Sequence, residues 1–341
     1  IDGVKTLMDS KEIYYNQNKL SLHDKNGIPF RSKGKGTRRL LSAILQFTNK
    51  EDGSITLIDE LEQGLEPYRV KTFVRELKNE LSNKHQIFIT THSANVITEV
   101  NANNIIVIRN NNGLLEAIDV STDLQRIIRA FPDALFSKKL IVCEGSTEYG
   151  ICNQLDEILF QQNNNPMFLY GCMPINSNGG SKIFNDCTEL NKLKYNLLAF
   201  CDTDVSADNE KKERLKNLGV KICDCEIGNC IEKQLFKDLP YDAVINLIEY
   251  VIEKIFGKSE SSFIGTMKRT YSNINFDDWR TTDTDDIRNA FAEIANNNSW
   301  YKSETGGRKL GEVISTQINN IDSESHLKKQ LEILINWIKR G

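Results

Sequence analysis

The chain has no long hydrophobic run, few histidines and no excess of positive charge. No apolar stretch approaches the roughly 18–20 residues that a membrane helix needs, so a membrane-spanning protein is excluded and a cytoplasmic location is expected. Lysine and arginine number 43 against 47 aspartates and glutamates, which gives a net charge of −4. This balance argues against a purely electrostatic nucleic-acid binder, although local basic patches or bound metal still allow phosphate contact. The 341 residues, 39% hydrophobic and 26% charged, are typical of two or three globular domains.

The eight cysteines form no CxxC pair, and three of them lie in apolar, strand-like runs: Cys143, Cys201 and Cys223. Buried reduced thiols in a cytosolic protein explain this distribution. The alternative is a zinc site made from Cys223, Cys225 and Cys230. With only four histidines in the chain and no matched second pair of cysteines, the zinc site is disfavoured.

Strand-like and helix-like segments alternate in the first third of the chain. Short β-branched runs predict strands at 54–58, 86–90 and 105–108, and residues 67–81 predict an amphipathic helix. The apolar face of that helix consists of Val70, Phe73, Val74 and Leu77. Because near-continuous apolar strands alternate with helices, we expect an α/β fold with a mostly parallel sheet covered on both faces.

A second block of the same kind begins near residue 138. Its predicted strands are 140–143, 196–201 and 220–225, and its predicted helices are 146–160 and 229–236. The segment between, with Asn163–Asn165 and Asn176–Gly180, is predicted to be loop. The predicted helices of the last hundred residues are 241–256, 286–295, 310–317 and 326–339. The join near 131–138 looks tight, and we place the domains at 1–135 and 136–341.

Two carboxylates follow the first predicted strand. Asp59 and Glu60 come directly after four apolar residues, and a buried parallel strand delivers such side chains to the sheet edge where ligands bind. Taken alone, this pattern also arises when a strand runs into a polar loop. Three companions strengthen it: a Gly- and Ser-containing turn that leads into a helix at 31–41, the stretch 62–67, and a turn that contains His92. The first of these turns is typical of a phosphate-binding helix start.

The order of these motifs resembles the C-terminal half of an ABC-type ATPase of the RecF, SMC and OLD group. The resemblance makes 32–37 a signature-like loop, 55–60 a Walker B strand and 62–67 a D-loop. It implies that ATP is bound with Mg²⁺ oriented by Asp59, that Glu60 polarises water, and that His92 senses the γ-phosphate. The remaining contacts, to the nucleotide of a partner subunit, would come from Ser32, Gly34 and Gly36.

A Walker A motif is missing from the sequence. No G-x-x-x-x-G-K-[ST] occurs, and Gly257-Lys258-Ser259 does not qualify because Ile252 stands where the first glycine should be. The ABC-type family carries this motif upstream, and Ile1 as first residue fits a chain that lost it. We therefore expect the ATPase half to be incomplete and the chain alone to hydrolyse no ATP.

Acidic residues also follow two strands of the second block. Glu144 and Glu148 flank the turn after the first strand, and Asp202 and Asp204 follow the next one. Four carboxylates at one sheet edge repel each other unless divalent cations neutralise them, and oxygen ligands suit Mg²⁺ or Mn²⁺. Each pair alone is more typical of a helix cap or a solvated loop. Together they predict a phosphoryl-transfer site with one or two metal ions.

Both acidic pairs, in this order, resemble the Toprim domain, and the extra acid Glu148 resembles the Toprim nucleases of the OLD type. With the ATPase motifs, residues 20–235 resemble the OLD-family ATP-dependent endonucleases, including the nuclease subunit of the Gabija antiphage system. The metal ligands implied by the resemblance are Glu144, Glu148, Asp202 and Asp204. A further acid is expected after the third strand, with Glu232 the best match and Glu226 the alternative.

The same resemblance implies a late lysine that stabilises the phosphate or the leaving oxygen. Lys302 is the first choice, ahead of Lys309. The implied catalytic residues are thus Glu144, Asp202, Asp204 and Lys302, with Glu60 in the ATPase half. Two basic clusters are candidates for contact with DNA, and the alternative is that they are solvated helix faces. They are Lys33, Lys35, Arg38 and Arg39, and Lys211, Lys212, Arg214 and Lys216.

The resemblance as a whole implies a metal-dependent DNA endonuclease or nickase in antiphage defence. Its ABC-type half would act as dimeriser and nucleotide-controlled gate, so the expected partners are DNA, further copies of the chain and a helicase-type protein. Two alternatives remain open. One is a non-nucleolytic ABC-type clamp that carries a Toprim module, and the other is a Toprim topoisomerase or primase, for which no matching tyrosine or zinc module is present.

Overall fold

The computed structural model describes residues 5–8, 20–48, 54–80, 86–163, 165–202 and 209–340. The chain divides into two compact units, Ile1–Asn101 and Ala102–Gly341. The first unit therefore ends before residue 135, where the sequence analysis places the domain boundary. Over the described ranges, no helix is long and apolar enough to cross a membrane.

Among its described residues, the first unit contains two small sheets and three α-helices. Its strands are β1 (Lys5–Met8), β2 (Leu20–His23), β3 (Ile55–Ile58) and β4 (Gln86–Ile89), and its helices are α1 (Lys35–Thr48), α2 (Pro67–Glu80) and α3 (Ala94–Ile97). Strands β1 and β2 pair antiparallel, whereas β3 and β4 pair in parallel. The carboxyl ends of β3 and β4 therefore lie side by side, which brings the turns that follow them together.

Helix α2 supplies the small core of this unit. Its predicted apolar face is buried, as are Leu61 and Val96. Alternate residues of β3 and β4 point towards this core because successive side chains of a strand face opposite ways. The other face exposes Ile55, Leu57 and Phe88, with Leu57 74% exposed. The prediction that both faces of the sheet are covered is thus wrong for the described part of this sheet.

The second unit contains six strands and ten helices among the described residues. Its strands are β5 (Ile106–Asn111), β6 (Leu114–Asp119), β7 (Lys139–Cys143), β8 (Cys172–Asn176), β9 (Asn196–Cys201) and β10 (Lys221–Asp224). Its helices are α4 (Gln125–Ala130), α5 (Ser146–Asn163), α6 (Lys182–Lys192), α7 (Asn209–Asn217), α8 (Ile231–Asp238), α9 (Tyr241–Lys254), α10 (Glu260–Thr270), α11 (Asp285–Asn297), α12 (Glu304–Gln317) and α13 (His326–Lys339).

A four-stranded parallel sheet organises the second unit. Its strand order is β10-β9-β7-β8, and all three neighbouring pairs are parallel. Every residue of β7 is buried, as expected for an inner strand of a parallel sheet with both faces covered. The expected α/β architecture is confirmed for this block. All carboxyl ends share one edge, where Glu144 and Asp202 follow adjacent strands.

The hairpin of β5 and β6 differs from the prediction. The strand expected at 105–108 does not join a parallel sheet, since β5 pairs antiparallel with β6. The two residues of the turn, Asn112 and Gly113, both have positive φ, which suits a two-residue hairpin. The side chain of Arg109 donates from Nε to the carbonyl of Leu193 (2.9 Å) and lies over the ring of Tyr195. These contacts attach the hairpin to the second unit.

The C-terminal helices share one hydrophobic core with the parallel sheet. This core extends from Ile141 in β7 to Ile338 in α13 and includes a group of packed aromatic rings around Phe263 and Phe291. The buried Lys139 at the start of β7 donates to the carbonyls of Ile338 and Arg340, at 2.8 and 2.6 Å, and so holds the end of α13. The helical region is therefore part of the second unit's fold and no loose tail. All eight cysteines are buried and free, as predicted.

Candidate functional site

In the first unit, Thr90 joins the ends of the two parallel strands. Its hydroxyl donates to Oδ1 of Asp59 (2.5 Å) and accepts from the backbone N–H of Glu60 (2.8 Å). Its own N–H donates to the carbonyl of Ile58 at 2.9 Å. The structure thus brings the predicted acidic pair against the turn that follows β4. A hydroxyl beside a carboxylate both orients the acid and satisfies part of its hydrogen-bonding capacity.

The backbone at Glu60 is unusual, with a φ of 44°. A residue with a side chain rarely adopts this left-handed conformation, and such strain is commonly stored at functional sites. The carboxylate of Glu60 accepts from Nε2 of Gln63 (3.1 Å), and the other end of Gln63 accepts from Arg39. The expected catalytic acid is therefore linked to the helix that follows the signature-like loop.

Glu62 organises the turn that contains His92. Its carboxylate accepts from the Thr91 hydroxyl and from the backbone N–H of His92, both at 2.7 Å. Partial burial raises the pKa of Glu62, but these hydrogen bonds outweigh that effect, so its pKa lies below the ordinary value. Glu62 stays ionised near neutral pH and fixes the backbone at His92.

The signature-like loop contacts the D-loop of the same unit. A Cβ at Gly36 would overlap the carbonyl oxygen of Gly64, which itself has a φ of 78°. Both positions therefore need glycine, one for close backbone approach and the other for its conformation. Gly34 has no neighbour within 4 Å of where its Cβ would lie, and the Ser32 hydroxyl donates to the carbonyl of Pro29 at 2.7 Å. Ser32 and Gly34 are exposed.

In the second unit, Glu144 and Asp202 lie together at the carboxyl edge of the parallel sheet. Glu144 follows β7 and its N–H donates to the carbonyl of Phe200 in β9. The N–H of Asp202 donates in turn to Oε2 of Glu144 at 3.0 Å. Adjacent parallel strands in register place these residues side by side, as the sequence analysis expects.

Glu148 is buried on the first turn of α5, with only 4% of its surface exposed. Burial, helped by the negative charges of Glu144 and Glu232, raises its pKa to about 7, although the N–H groups of Glu148 itself and Gly145 oppose the rise. The Gly145 N–H donates to Oε2 of Glu148 at 2.9 Å. The charges of Glu144 and Glu232 thus act on Glu148 as repulsion, which favours its protonated form.

Glu232 lies on the first turn of α8 and is 1% exposed. Neither of its carboxylate oxygens has a conventional hydrogen-bond partner in the described residues. The Cys230 thiol is beside it, but burial, and next the charge of Glu232, raise the pKa of that thiol to about 12, so it is at most a weak donor. The alternative acid, Glu226, accepts from Lys237 at 2.5 Å and is already paired. An unsatisfied buried carboxylate is costly and calls for an explanation.

Tyr301 and Lys302 lie next to the start of α5. The carbonyl of Tyr301 accepts from the Thr147 hydroxyl at 3.2 Å, which places Lys302 near the residue that precedes Glu148 in the chain. Lys302 is exposed. Lys309, the other predicted lysine, pairs with Glu312 at 3.2 Å and lies over the ring of Tyr250. The choice of Lys302 ahead of Lys309 stays a prediction.

The basic run after Asp202 is not a uniform solvated face. Lys212 is buried, and its Nζ donates to the carbonyl of Asp202 (2.6 Å) and to Oδ2 of Asp224 (3.3 Å). Lys216 on the same helix is half exposed and pairs with Glu213. The expectation that Lys212 follows a DNA backbone, or faces solvent, is therefore wrong, because its ammonium group is already engaged inside the protein.

The described residues contain no group of three or more His, Cys, Asp or Glu side chains that could hold a metal ion as they stand. Asp204 lies outside the described residues, so the structure says nothing of its position. The donor set nevertheless fits a hard divalent cation in kind. Glu148 and Glu232 are buried acids without a countercharge among the contacts described above, and oxygen ligands are those that Mg²⁺ and Mn²⁺ prefer.

Sequence reasoning missed four residues that organise these sites. Each of them acts through hydrogen bonds to a neighbouring turn or strand end: Thr90, Glu62, Lys212 and Asp224. Thr90 ends the predicted strand 86–90 and Glu62 begins the stretch 62–67, so their positions in the sequence could have identified them. In the charged run 210–216, the one sequence feature that indicates burial of Lys212 is its spacing of three from Leu215, the other buried residue of α7.

Comparison with known proteins identifies one segment. Residues 4–98 match the family described as "AAA domain, putative AbiEii toxin, Type IV TA system". A solved chain described under "Structural biochemistry of ATP-driven dimerization and DNA stimulated activation of SMC ATPases" is 14% identical, covers 38% of this chain and 83% of its own length, and has a TM-score of 0.27. No curated protein matches the chain. The segment 4–98, which holds every predicted nucleotide-site residue, is thus similar to AAA-type ATPase domains.

Proposed function

We propose that the second unit is a Toprim-type, divalent-metal-dependent DNA endonuclease or nickase and that the first unit is its ATP-binding regulator. The observation that carries the nuclease proposal is the buried Glu232 carboxylate, which lacks a conventional partner and lies beside Glu148 at the carboxyl edge of a parallel sheet. A fold tolerates such a cluster when a ligand of opposite charge completes it.

The residues that would hold Mg²⁺ or Mn²⁺ are Glu144, Glu148, Asp202, Asp204 and Glu232. A cation bound there supplies an activated water and stabilises negative charge on the phosphate. Glu144 also accepts the N–H of Asp202, so it fixes the second strand end while it faces the site. Lys302, close to the start of α5, is the group proposed to stabilise the leaving oxygen.

The first unit is proposed to bind ATP and to dimerise. Support comes from the match of residues 4–98 to an AAA-type family and from the linked acids Asp59 and Glu60. Ser32 and Gly34 are exposed, as contact with the nucleotide of a second subunit requires. A role in antiphage defence, with a helicase-type partner, is proposed on the resemblance to OLD-family enzymes.

The first test is nicking of supercoiled plasmid in Mn²⁺ or Mg²⁺ without ATP. We expect the unmodified chain to convert the plasmid to open circles, and Glu144→Gln, Asp202→Asn and Glu232→Gln to lose this activity by at least about a hundredfold. Glu226→Gln is the matched control. Like Glu232, Glu226 follows β10 in the chain, but it is paired with Lys237 and partly exposed. Its activity should remain within about twofold of the parent.

Three outcomes are informative. Loss in the three acid variants and retention in the control supports a metal-dependent nuclease centred on this sheet edge. Equal loss in Glu226→Gln would indicate that the edge is sensitive to any charge change and would contradict the site as assigned. Metal-indifferent DNA binding with no cutting by the folded chain would favour the alternative of a non-nucleolytic clamp.

A further inference from the structure

Lys212 is a buried lysine at the edge of the proposed metal site. Helix α7 is strongly charged, yet Lys212 is only 3% exposed, whereas Lys216, one turn later, is half exposed. Burial of an ammonium group is unfavourable unless partners replace its hydration. The hydrogen-bond partners of Lys212 therefore indicate the role of this buried side chain.

Its two described partners lie at the ends of adjacent strands. Nζ of Lys212 donates to the carbonyl of Asp202 at 2.6 Å and to Oδ2 of Asp224 at 3.3 Å. Asp202 follows β9 and Asp224 ends β10, so one side chain joins the carboxyl ends of both strands. The bond to the carbonyl fixes backbone, and the bond to the carboxylate supplies a countercharge.

Asp224 is itself held by the C-terminal helix. Its N–H donates to Oε1 of Gln330 at 3.2 Å, and its carbonyl lies 2.9 Å from Nε2 of His326. Both residues belong to α13. Helix α13 therefore holds the backbone of the residue whose carboxylate receives Lys212, which connects this helix to the sheet edge.

These contacts fix the backbone of Asp202. Its N–H donates to Glu144 and its carbonyl accepts from Lys212, so the backbone of this residue is fixed on both sides. Its Oδ1 lies 3.8 Å from the Cys225 thiol. A fixed backbone limits the positions that the carboxylate of Asp202 can reach, which is how outer partners orient metal ligands.

We infer that Lys212 is a positioning residue that fixes Asp202 for metal binding, with Asp224 and α13 as its support. The inference rests on the proposed function. It has a rival in which Lys212 merely offsets the negative charge of the acids. The two differ in sign: loss of a positioning residue weakens cation binding, whereas loss of a nearby positive charge strengthens it.

The test is Mn²⁺ binding by calorimetry to the full chain and three variants, well below their unfolding temperatures. Lys212→Met should weaken Mn²⁺ binding about 10–100-fold, Lys212→Arg should recover part of the loss because it keeps both charge and donors, and Lys216→Met should change nothing. Unchanged or tighter binding by Lys212→Met overturns the inference. If Lys212→Met does not fold, Asp224→Asn, which removes the support of Lys212 at nearly constant shape, should accelerate amide hydrogen exchange at Asp202 in metal-free protein, an effect that the loss of a charge alone does not produce.

A second measurement separates this inference from the proposed function. Amide hydrogen exchange at Asp202 in metal-free protein should be at least about tenfold faster in Lys212→Met than in the parent, and unchanged in Lys216→Met. If the parent binds no Mn²⁺, the proposed metal site fails, and the exchange rate alone decides whether Lys212 fixes Asp202. Exchange that is equally fast in parent and Lys212→Met overturns the positioning role even where Mn²⁺ binds.

Discussion

Glu148 is the residue through which pH should act on the stability of the second unit. Its pKa is raised to about 7 in the folded chain, against an ordinary value of 4.5. The folded state therefore holds a proton that the unfolded state has released between these two values. The free energy of unfolding contributed by Glu148 is greatest below about pH 4.5 and is lost as pH rises through about 7.

We predict that Glu148→Gln removes this dependence. Because one pKa unit corresponds to about 1.4 kcal/mol, the variant should gain up to about 3 kcal/mol relative to the parent between pH 5 and pH 8. The measurement is urea unfolding of metal-free protein at several pH values, with Glu226→Gln as the control for a paired acid. A difference between parent and variant that does not change with pH would rule out the mechanism.

Residue types and spacing predicted the acids of the second unit but not the groups that orient them. Glu144 and Asp202 follow apolar strands, and that pattern suffices to place them at a common edge. Lys212 could not be identified, because a charge run normally marks a solvated helix face and burial depends on which strand ends lie beneath it. Asp204 stays a prediction.

At the scale of elements, three glycines let α12 lie directly on α5. A Cβ at Gly307 would overlap the carbonyl oxygen of Thr147, and one at Gly311 would lie 2.8 Å from Cβ of Gln154. On α5 itself, a Cβ at Gly150 would overlap the carbonyl oxygen of Glu304 in α12. Glycine in a helix interior lowers the stability of the helix. Its presence here indicates that the close contact between the two helices stabilises the fold by more than the low helix propensity of glycine destabilises it. This contact sets the position of the turn that carries Glu148.

We predict that Gly307→Ala destabilises the chain by about 1–3 kcal/mol, because α12 must move away from a backbone atom that cannot yield. Gly265→Ala in α10 is the matched control. A Cβ there meets nothing within 4 Å, so improved helix propensity should stabilise the chain by up to about 1 kcal/mol. Urea unfolding measures both. Equal stability of the two variants would contradict the packing argument.

Apolar pattern predicted the inner strands β7 and β9 and the edge strand β10, but it missed β8 and β6. Strands β7 and β9 are inner strands with buried apolar runs, whereas β8 contains Pro174 and lies at the sheet edge, where proline is tolerated. That proline and the following Asn-rich turn made 172–180 resemble loop. Strand β6 was missed because its pairing with β5 leaves most of its side chains exposed, without a clear apolar alternation.

At the scale of the whole molecule, the boundary between the units follows contacts rather than motif order. Hairpin β5–β6 comes after the last ATPase motif, and order alone assigned it to the first domain. Arg109 bonds to Leu193 and lies over Tyr195, and Glu116 pairs with Lys194, so the hairpin belongs to the second unit. Such pairing between residues far apart in the chain cannot be read from local pattern.

Catalysis by the two units should be separable, which gives the last prediction. The first unit links Asp59 and Glu60 to Thr90, but a triphosphate also needs the lysine and the ring of N–H groups of a Walker A motif, which this sequence lacks. We therefore expect the 341-residue chain to release no phosphate from ATP above the level of Glu60→Gln, and to nick plasmid when ATP is absent. Phosphate release and plasmid relaxation, assayed side by side, measure both. ATP turnover that Glu60→Gln abolishes would show that the nucleotide site is complete without that motif.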